Sequence, residues 1–235
     1  MIIKKFFVTG TDTNIGKTTI SSILLKKAKN YGYKTAGYKP ISSGMKKYKN
    51  IASHLSNNKY QLINQDAYIL QKNSSIYLTY KEINPISFLE SAPPNILSLI
   101  NGKEIKIKNL SSGLKKISLK SNWILIEGAG GWFTPISNKY TFSDWVKIEK
   151  FKVILIVGIK LGCINHAILT EQSILSNKLT CVGWIANNIY PKNKYTSYYI
   201  QTLLSYIKSP LLGIVPYLKN TDQINIDKIK IKLPT

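Results

Sequence analysis

Residues 10–19 read Gly-Thr-Asp-Thr-Asn-Ile-Gly-Lys-Thr-Thr and follow directly on an apolar run. Ile2, Ile3, Phe6, Phe7 and Val8 make that run strand-like, and beyond the loop Ile20, Ile23, Leu24 and Ala28 recur at helical spacing. Strand, glycine-bounded loop and helix, in that order, are what a phosphate cradle requires. Backbone N–H groups of the loop and of the new helix converge on one spot, where the helix dipole also favours an anion. Lys17 adds a mobile cation for the outer phosphates, and the Thr18 hydroxyl suits Mg²⁺. Five residues, Thr11 to Ile15, separate the glycines, one more than in the common pattern, so the cradle should be slightly enlarged. The expectation is a nucleoside triphosphate site.

The rest of the chain fits one domain around such a site. At 235 residues it is long enough to bury a substantial core. Strands are expected over 2–9, 34–39, 123–128, 152–159, 181–187 and 211–215, and helices over 17–31, 63–71, 93–101, 107–120, 165–175 and 194–207. Continuous apolar runs such as Trp123 to Ile126 and Val153 to Val157 suit strands covered on both faces. The fold class is therefore α/β, a single doubly wound, mostly parallel sheet with helices on both faces. Residues 45–60 are polar and Asn/Lys-rich, and read as a mobile surface loop. The Ile/Lys alternation after Thr221 reads as an edge strand or a frayed tail.

A formal charge of +22 raises the question of nucleic acid. All 33 basic residues are lysine, however, so the bidentate contacts that arginine brings to bases and phosphates are missing. The lysines are also dispersed among Ile, Asn and Tyr, as on a solvated surface, so no nucleic-acid partner is expected. No stretch approaches the roughly 18 apolar residues of a membrane span, which argues against a membrane partner. The chain enters its first strand at once, leaving no room for a leader. Two cysteines, Cys163 and Cys181, without C-x-x-C spacing suit a reducing compartment. The expected location is cytoplasmic.

Several other segments end strands and so fall on the rim of the phosphate loop, where open α/β sheets bind ligands. Lys39 and Ser43, in Tyr38-Lys-Pro-Ile-Ser-Ser-Gly44, can hold phosphoryl oxygens and a substrate group, although Lys39 also reads as one more surface lysine. Glu127 closes the run Trp123-Ile-Leu-Ile and is followed by Gly128, Ala129, Gly130 and Gly131. A strand-end carboxylate of this kind reaches Mg²⁺, and the glycines let backbone approach phosphate; a cap or a lysine pair is the plain alternative. Asp66 opens a helical pattern and alone reads as a helix N-terminal charge. With Thr18 and Glu127 it would complete an oxygen-only set suited to Mg²⁺. Gly162-Cys163-Ile164-Asn165 opens a helix whose free N–H groups could receive a carboxylate. Cys163 itself reads as a small buried residue beside a capping Asn165, not as a nucleophile served by His166. Asn187 and Asn188 end a strand where amides could read a base edge, with Pro216, Tyr217 and Leu218 as another wall.

Taken together, Phe-Phe-Val-Thr-Gly-Thr-Asp-Thr-Asn-Ile-Gly-Lys-Thr, Thr-Ala-Gly-Tyr-Lys-Pro-Ile-Ser-Ser-Gly, Glu-Gly-Ala-Gly-Gly-Trp-Phe-Thr-Pro, Lys-Leu-Gly-Cys-Ile-Asn-His-Ala and Gly-Trp-Ile-Ala-Asn-Asn resemble the dethiobiotin synthetase family across residues 6–188. The resemblance implies a P-loop NTPase-like fold and a homodimeric, ATP- and Mg²⁺-dependent cyclo-ligase. Its substrates would be 7,8-diaminopelargonate and CO₂, passing through a carbamate and a carbamic–phosphoric anhydride to dethiobiotin. By the same resemblance Lys39 is the catalytic lysine, Ser43 touches substrate, and Thr13 lies near the carbamate. Asn14, Ile15, Gly16, Lys17, Thr18 and Thr19 would bind the phosphates, and Thr18, Asp66 and Glu127 would hold Mg²⁺. Glu127 to Gly130 would line the nucleotide, with Asn187, Asn188 and Pro216 to Leu218 around adenine. Gly162, Cys163 and Asn165, with Tyr199, would take the substrate carboxylate across the dimer interface. Three features depart from the pattern: Asn14 stands where members can carry glutamate, Asn188 where aspartate often follows, and the stretch from Ser43 to Asp66 is about ten residues longer, a cheap change for a loop.

Two other classes share parts of this pattern. A nucleotide-switched partitioning protein would have the sheet and the loop, but usually with an early lysine where Asp12 stands. A lysine-rich polyanion binder would have no need of an intact Gly16-Lys17-Thr18.

Overall fold

Successive strand residues face opposite sides of a sheet, so the burial of Phe6, Phe7 and Val8 together requires cover on both faces. The computed structural model describes residues 3–49, 60–219 and 228–234. Its first half runs β1 (Lys4–Gly10), α1 (Lys17–Asn30), β2 (Thr35–Tyr38), β3 (Ile41–Ser42), β4 (Lys46–Lys49), β5 (Tyr60–Ile63), α2 (Gln65–Asn73), α3 (Tyr80–Ile83) and β6 (Ile86–Ser87). There follow α4 (Pro94–Ile100), α5 (Ile107–Ser118), β7 (Trp123–Glu127), α6 (Phe142–Glu149), β8 (Lys152–Gly158), α7 (Cys163–Ser176), β9 (Cys181–Asn187), α8 (Thr196–Tyr206) and β10 (Leu211–Val215).

Six strands form one sheet in the order β10-β9-β8-β1-β7-β2, every neighbouring pair parallel. This is the expected fold class. From β1 the chain crosses to β2 on one side, while from β8 it proceeds through β9 to β10 on the other. The two directions part between β1 and β8, the topological switch point where such sheets open a crevice at their carboxyl ends. Loops Gly10 to Gly16 and Gly158 to Gly162 flank that crevice.

Phe7 anchors the core beneath it, with the rings of Trp132, Phe142, Trp145 and Phe151 around it at centroid distances of 5.9 to 6.5 Å. Two of these residues belong to α6, which the periodicity analysis does not anticipate. Its eight residues give only two turns of pattern. The legible signal was its capping box: Thr141 accepts from the Asp144 N–H while Asp144 accepts from that of Thr141.

The stretch 45–60, expected to be loop, has strand at both ends. β4 and β5 pair antiparallel from Lys46↔Ile63 to Lys49↔Tyr60. Tyr60, Gln61 and Leu62 remain exposed in this two-stranded ribbon, so its residues carry no apolar alternation by which to read them. Residues 50–59 lie outside the described residues, as do 220–227. Beyond them Ile231 bridges Gly213, and Lys232 donates to the Leu212 carbonyl at 2.8 Å, a short edge-strand contact.

Candidate active site

Gly16 shapes the phosphate loop. Its φ of 86° is left-handed, and a Cβ there would lie 2.3 Å from Asn187 Nδ2, so both conformation and space require glycine. The extra loop residue is taken up inward. Ile15 is 1% exposed and wedged where a Cβ on Gly10 or Gly158 would stand, 2.7 and 2.6 Å from its side chain. Its carbonyl accepts from Asn187 Nδ2 at 2.7 Å, tying the loop to the end of β9. Thr13 and Asn14 are left exposed at the tip, Asn14 at φ 57°, a conformation asparagine adopts more readily than most residues.

Lys17 lies buried under this loop and donates to the Asp12 carbonyl at 2.8 Å. Burial, and then the neighbouring cation of Lys39, push its ammonium down to about 8. A lysine so tuned binds phosphate only while protonated. Hence kcat/KM for ATP, which reports the free enzyme, should fall above about pH 8, whereas kcat should hold to higher pH because bound phosphate favours the charged form. A pH–rate profile checks this; parallel loss of both parameters would contradict it.

Three chain segments meet at Lys39, just past β2. Its ammonium donates to Glu127 Oε1 at 2.8 Å and to the Gly128 carbonyl at 3.0 Å, and lies 3.4 Å from Asp66 Oδ2. Lys39 is 3% exposed, which settles the surface-lysine alternative against it. Burial alone would discharge it, but the carboxylates of Glu127 and Asp66 outweigh that and raise its pKa. Asp66 is held below the ordinary carboxylate range: burial works against this, and the Lys39 charge and the Thr18 hydroxyl prevail. Asp66 reaches the rim because Asn64 caps α2, accepting from the Ala67 N–H while its own amide donates to the Ser43 carbonyl at 2.8 Å.

Thr18 donates to Glu127 Oε1 at 2.9 Å. Glu127 is wholly buried, and its Oε2 has no partner among the described residues. An orphaned oxygen on a carboxylate whose other oxygen accepts from the Thr18 hydroxyl, with the Asp66 carboxylate on the same Lys39 ammonium, fits a divalent cation that prefers oxygen.

Where β9 and β10 end, Asn188 donates through both its N–H and its Nδ2 to the Val215 carbonyl at 3.0 and 2.9 Å, fixing the start of Pro216 to Leu218 beside it. Its Oδ1 is buried without a partner among the described residues, an acceptor available to a donor from a ligand. Asn187 spends one of its two amide N–H groups on the Ile15 carbonyl, which leaves the other N–H and the oxygen. Gly128 abuts Phe7, with 2.8 Å between a Cβ there and the ring, and Gly130 takes φ 65°. Helix α7 is capped by Gly162 at φ 89° with no side-chain cap, so Asn165 is an exposed residue inside the first turn, not the cap. Cys163 is 1% exposed and burial pushes its thiol up, consistent with a packing role. Tyr199 is half-buried on α8, which packs against α7.

Two groups escaped the sequence reading. Asn84 is buried behind Lys39: its amide donates to the Lys39 carbonyl at 2.6 Å, and its oxygen accepts from Ser42 and Tyr80. The Asn84-Pro85 dipeptide signals only a turn. Lys160 donates to Asp12 Oδ2 at 2.6 Å and was hidden among the many other lysines. A cavity of about 630 Å³ between α4–α5 and the loop before α6 shares no residue with this rim.

A family model described as an AAA domain matches residues 4–225. An ATP-dependent dethiobiotin synthetase from Buchnera aphidicola subsp. Acyrthosiphon pisum is 62% identical over 99% of this chain and 100% of its own length. The chain belongs to the dethiobiotin synthetase family. The Escherichia coli K12 family member is 48% identical, covering 92% of this chain and 91% of its own. A ParA family ATPase from Chlorobium tepidum superposes with a TM-score of 0.54 at 12% identity, covering 97% of this chain and 90% of that one. That likeness establishes a shared P-loop NTPase architecture alone. Among the described residues no helix is long and apolar enough to cross a membrane.

Proposed function

We propose that this dethiobiotin synthetase family member closes the ureido ring of dethiobiotin from 7,8-diaminopelargonate and CO₂, converting ATP to ADP and phosphate. The observation that carries the reading is Lys39, a buried cation bridging the carboxylates of Glu127 and Asp66 beside the Gly16-Lys17-Thr18 loop.

One neutral substrate amine adds to CO₂, losing a proton to give a carbamate near Thr13. A carbamate oxygen attacks the γ-phosphorus of ATP and the bond to ADP breaks. The second amine then attacks the carbamoyl carbon and loses a proton as the ring closes, and phosphate departs with the electron pair of the single bond between that carbon and the phosphate-bearing oxygen. No protein nucleophile is required; the demand is for alignment and for neutralising charge on the transferring phosphoryl group. Lys17 and Lys39 supply that charge. Thr18, Asp66 and Glu127 would hold Mg²⁺, which when bound neutralises phosphate oxygens. Asn14 to Thr19 take the phosphates, Glu127 to Gly130 line the nucleotide, and the Asn188 oxygen with Pro216 to Leu218 receives adenine. Ser43 touches the diamine, and the α7 N-terminus at Gly162 and Asn165, with Cys163 buried there and its N–H held by the Lys160 carbonyl, takes its carboxylate together with Tyr199 across a homodimer interface. The whole chain acts as one cytoplasmic synthetase domain.

Omission of single components tests the reading. Mass spectrometry should detect dethiobiotin only when diamine, bicarbonate, ATP and Mg²⁺ are all present, with one ADP per product. ATP turnover that ignores the diamine would instead indicate a nucleotide-switched ATPase.

A further inference from the structure

Asp12 is an unexpected residue for an anion cradle, since its carboxylate would repel an incoming triphosphate. It is also the most gripped residue of the loop. Oδ1 accepts from the Thr13 N–H at 2.7 Å, the backbone carbonyl accepts from Lys17 Nζ at 2.8 Å, and Oδ2 accepts from Lys160 Nζ at 2.6 Å. Lys160 comes from the other side of the switch point, between β8 and α7. Its carbonyl accepts from the Cys163 N–H at 3.0 Å, at the first residue of α7, where Cys163 is anchored by burial. One residue thus holds the phosphate loop through its side chain and the α7 N-terminus through its backbone. The contact surfaces are close: Thr11 N–H donates to the Ile156 carbonyl at 3.0 Å, and Ile15 fills the space above Gly158.

We propose that the Asp12–Lys160 ion pair is a positioning device that couples occupancy of the phosphate loop to occupancy of the α7 N-terminus, so that nucleotide and diamine bind with positive cooperativity. The proposal rests on the ligase reading and deepens it. Lys160 neutralises the Asp12 carboxylate while Lys17 holds the Asp12 backbone carbonyl, so that when Lys17 leaves for phosphate the carboxylate keeps its counter-ion. A diamine carboxylate seated on α7 steadies the turn that carries Lys160, and the ion pair passes that order to the loop. The link joins the two loops of one protomer, whichever of the two sites that α7 serves.

Calorimetry tests this with a non-hydrolysable ATP analogue titrated with and without saturating diamine, the affinity ratio being the coupling factor. The wild-type factor should exceed one. Lys160→Met and Asp12→Asn should each lower it by about threefold, the scale of a partly exposed ion pair. The double variant should lower it no further, and Lys160→Arg should keep it. A wild-type factor of one, factors unchanged in both single variants, or losses that add in the double variant would overturn the coupling. If the wild type makes dethiobiotin while its factor ignores these changes, only the role of the pair falls. If it neither binds diamine nor makes product, the ligase reading falls and the coupling with it.

Discussion

Lys39→Met is expected to lower turnover more than about a hundredfold, the scale of lost transition-state electrostatics, and to lower stability as well. The side chain it removes is the sole strong cation on the wholly buried Glu127 among the contacts of the described residues. Breaking a buried pair on one side costs about 3–5 kcal/mol, because the remaining charge is buried with no contacting counter-ion. The two effects separate in the double variant Lys39→Met/Glu127→Gln, in which no uncompensated buried charge remains. Chemical denaturation should return most of the lost stability there, and steady-state assays should return no activity. Recovery of turnover alongside stability would assign Lys39 a structural role only.

Glu127→Gln alone attacks the same cluster from the other side. The amide keeps the volume of the carboxylate and removes its charge. Lys39 is then left with Asp66, whose side chain is 44% exposed at 3.4 Å, a weaker and better-hydrated partner. The orphaned Oε2 loses its value as a ligand to a hard cation. Turnover should fall by about a hundredfold or more, and the Mg²⁺ concentration for half-maximal rate should rise. Asp66→Asn should raise the Mg²⁺ requirement with a smaller loss of rate, since its charge is already shared with solvent. A Glu127→Gln enzyme with an unaltered Mg²⁺ requirement would remove Glu127 from the metal set.

The rim was legible because strand ends can be found from apolar runs, and several of its candidates lie at or just past one. Glu127 closes a five-residue strand buried throughout, Asn187 closes another, and Lys39 and Pro216 directly follow two more. Parallel strands align these ends without any further information. Less legible were features that depend on partners distant in sequence. Asn187 suits a base reader by position, but one of its amide N–H groups goes to the Ile15 carbonyl, a contact across 172 residues that no local pattern announces. Asn84 looks like a turn residue, and only the fold brings it behind Lys39. Asn165 suited a cap by residue type, whereas the chain caps α7 with Gly162 at positive φ. Lys160 was invisible for a compositional reason: in a chain with 33 lysines, one more carries no signal until its ammonium meets Asp12. Departure at Asn14 has a local reading, since a left-handed loop position accommodates asparagine well.

The central claim is that the tips of β1, β2 and β7 enclose a metal-bound triphosphate between Lys17 and Lys39. A crystal structure with a non-hydrolysable ATP analogue, Mn²⁺ and diamine addresses it most directly, the metal located by its anomalous scattering. Lys17 Nζ should have left the Asp12 carbonyl for phosphate oxygens, Lys39 should contact the γ-phosphate, and the Mn²⁺ peak should lie on Thr18, Asp66 and Glu127. Triphosphate bound elsewhere, with Lys17 still on Asp12 and Lys39 still sequestered by Glu127, would contradict it.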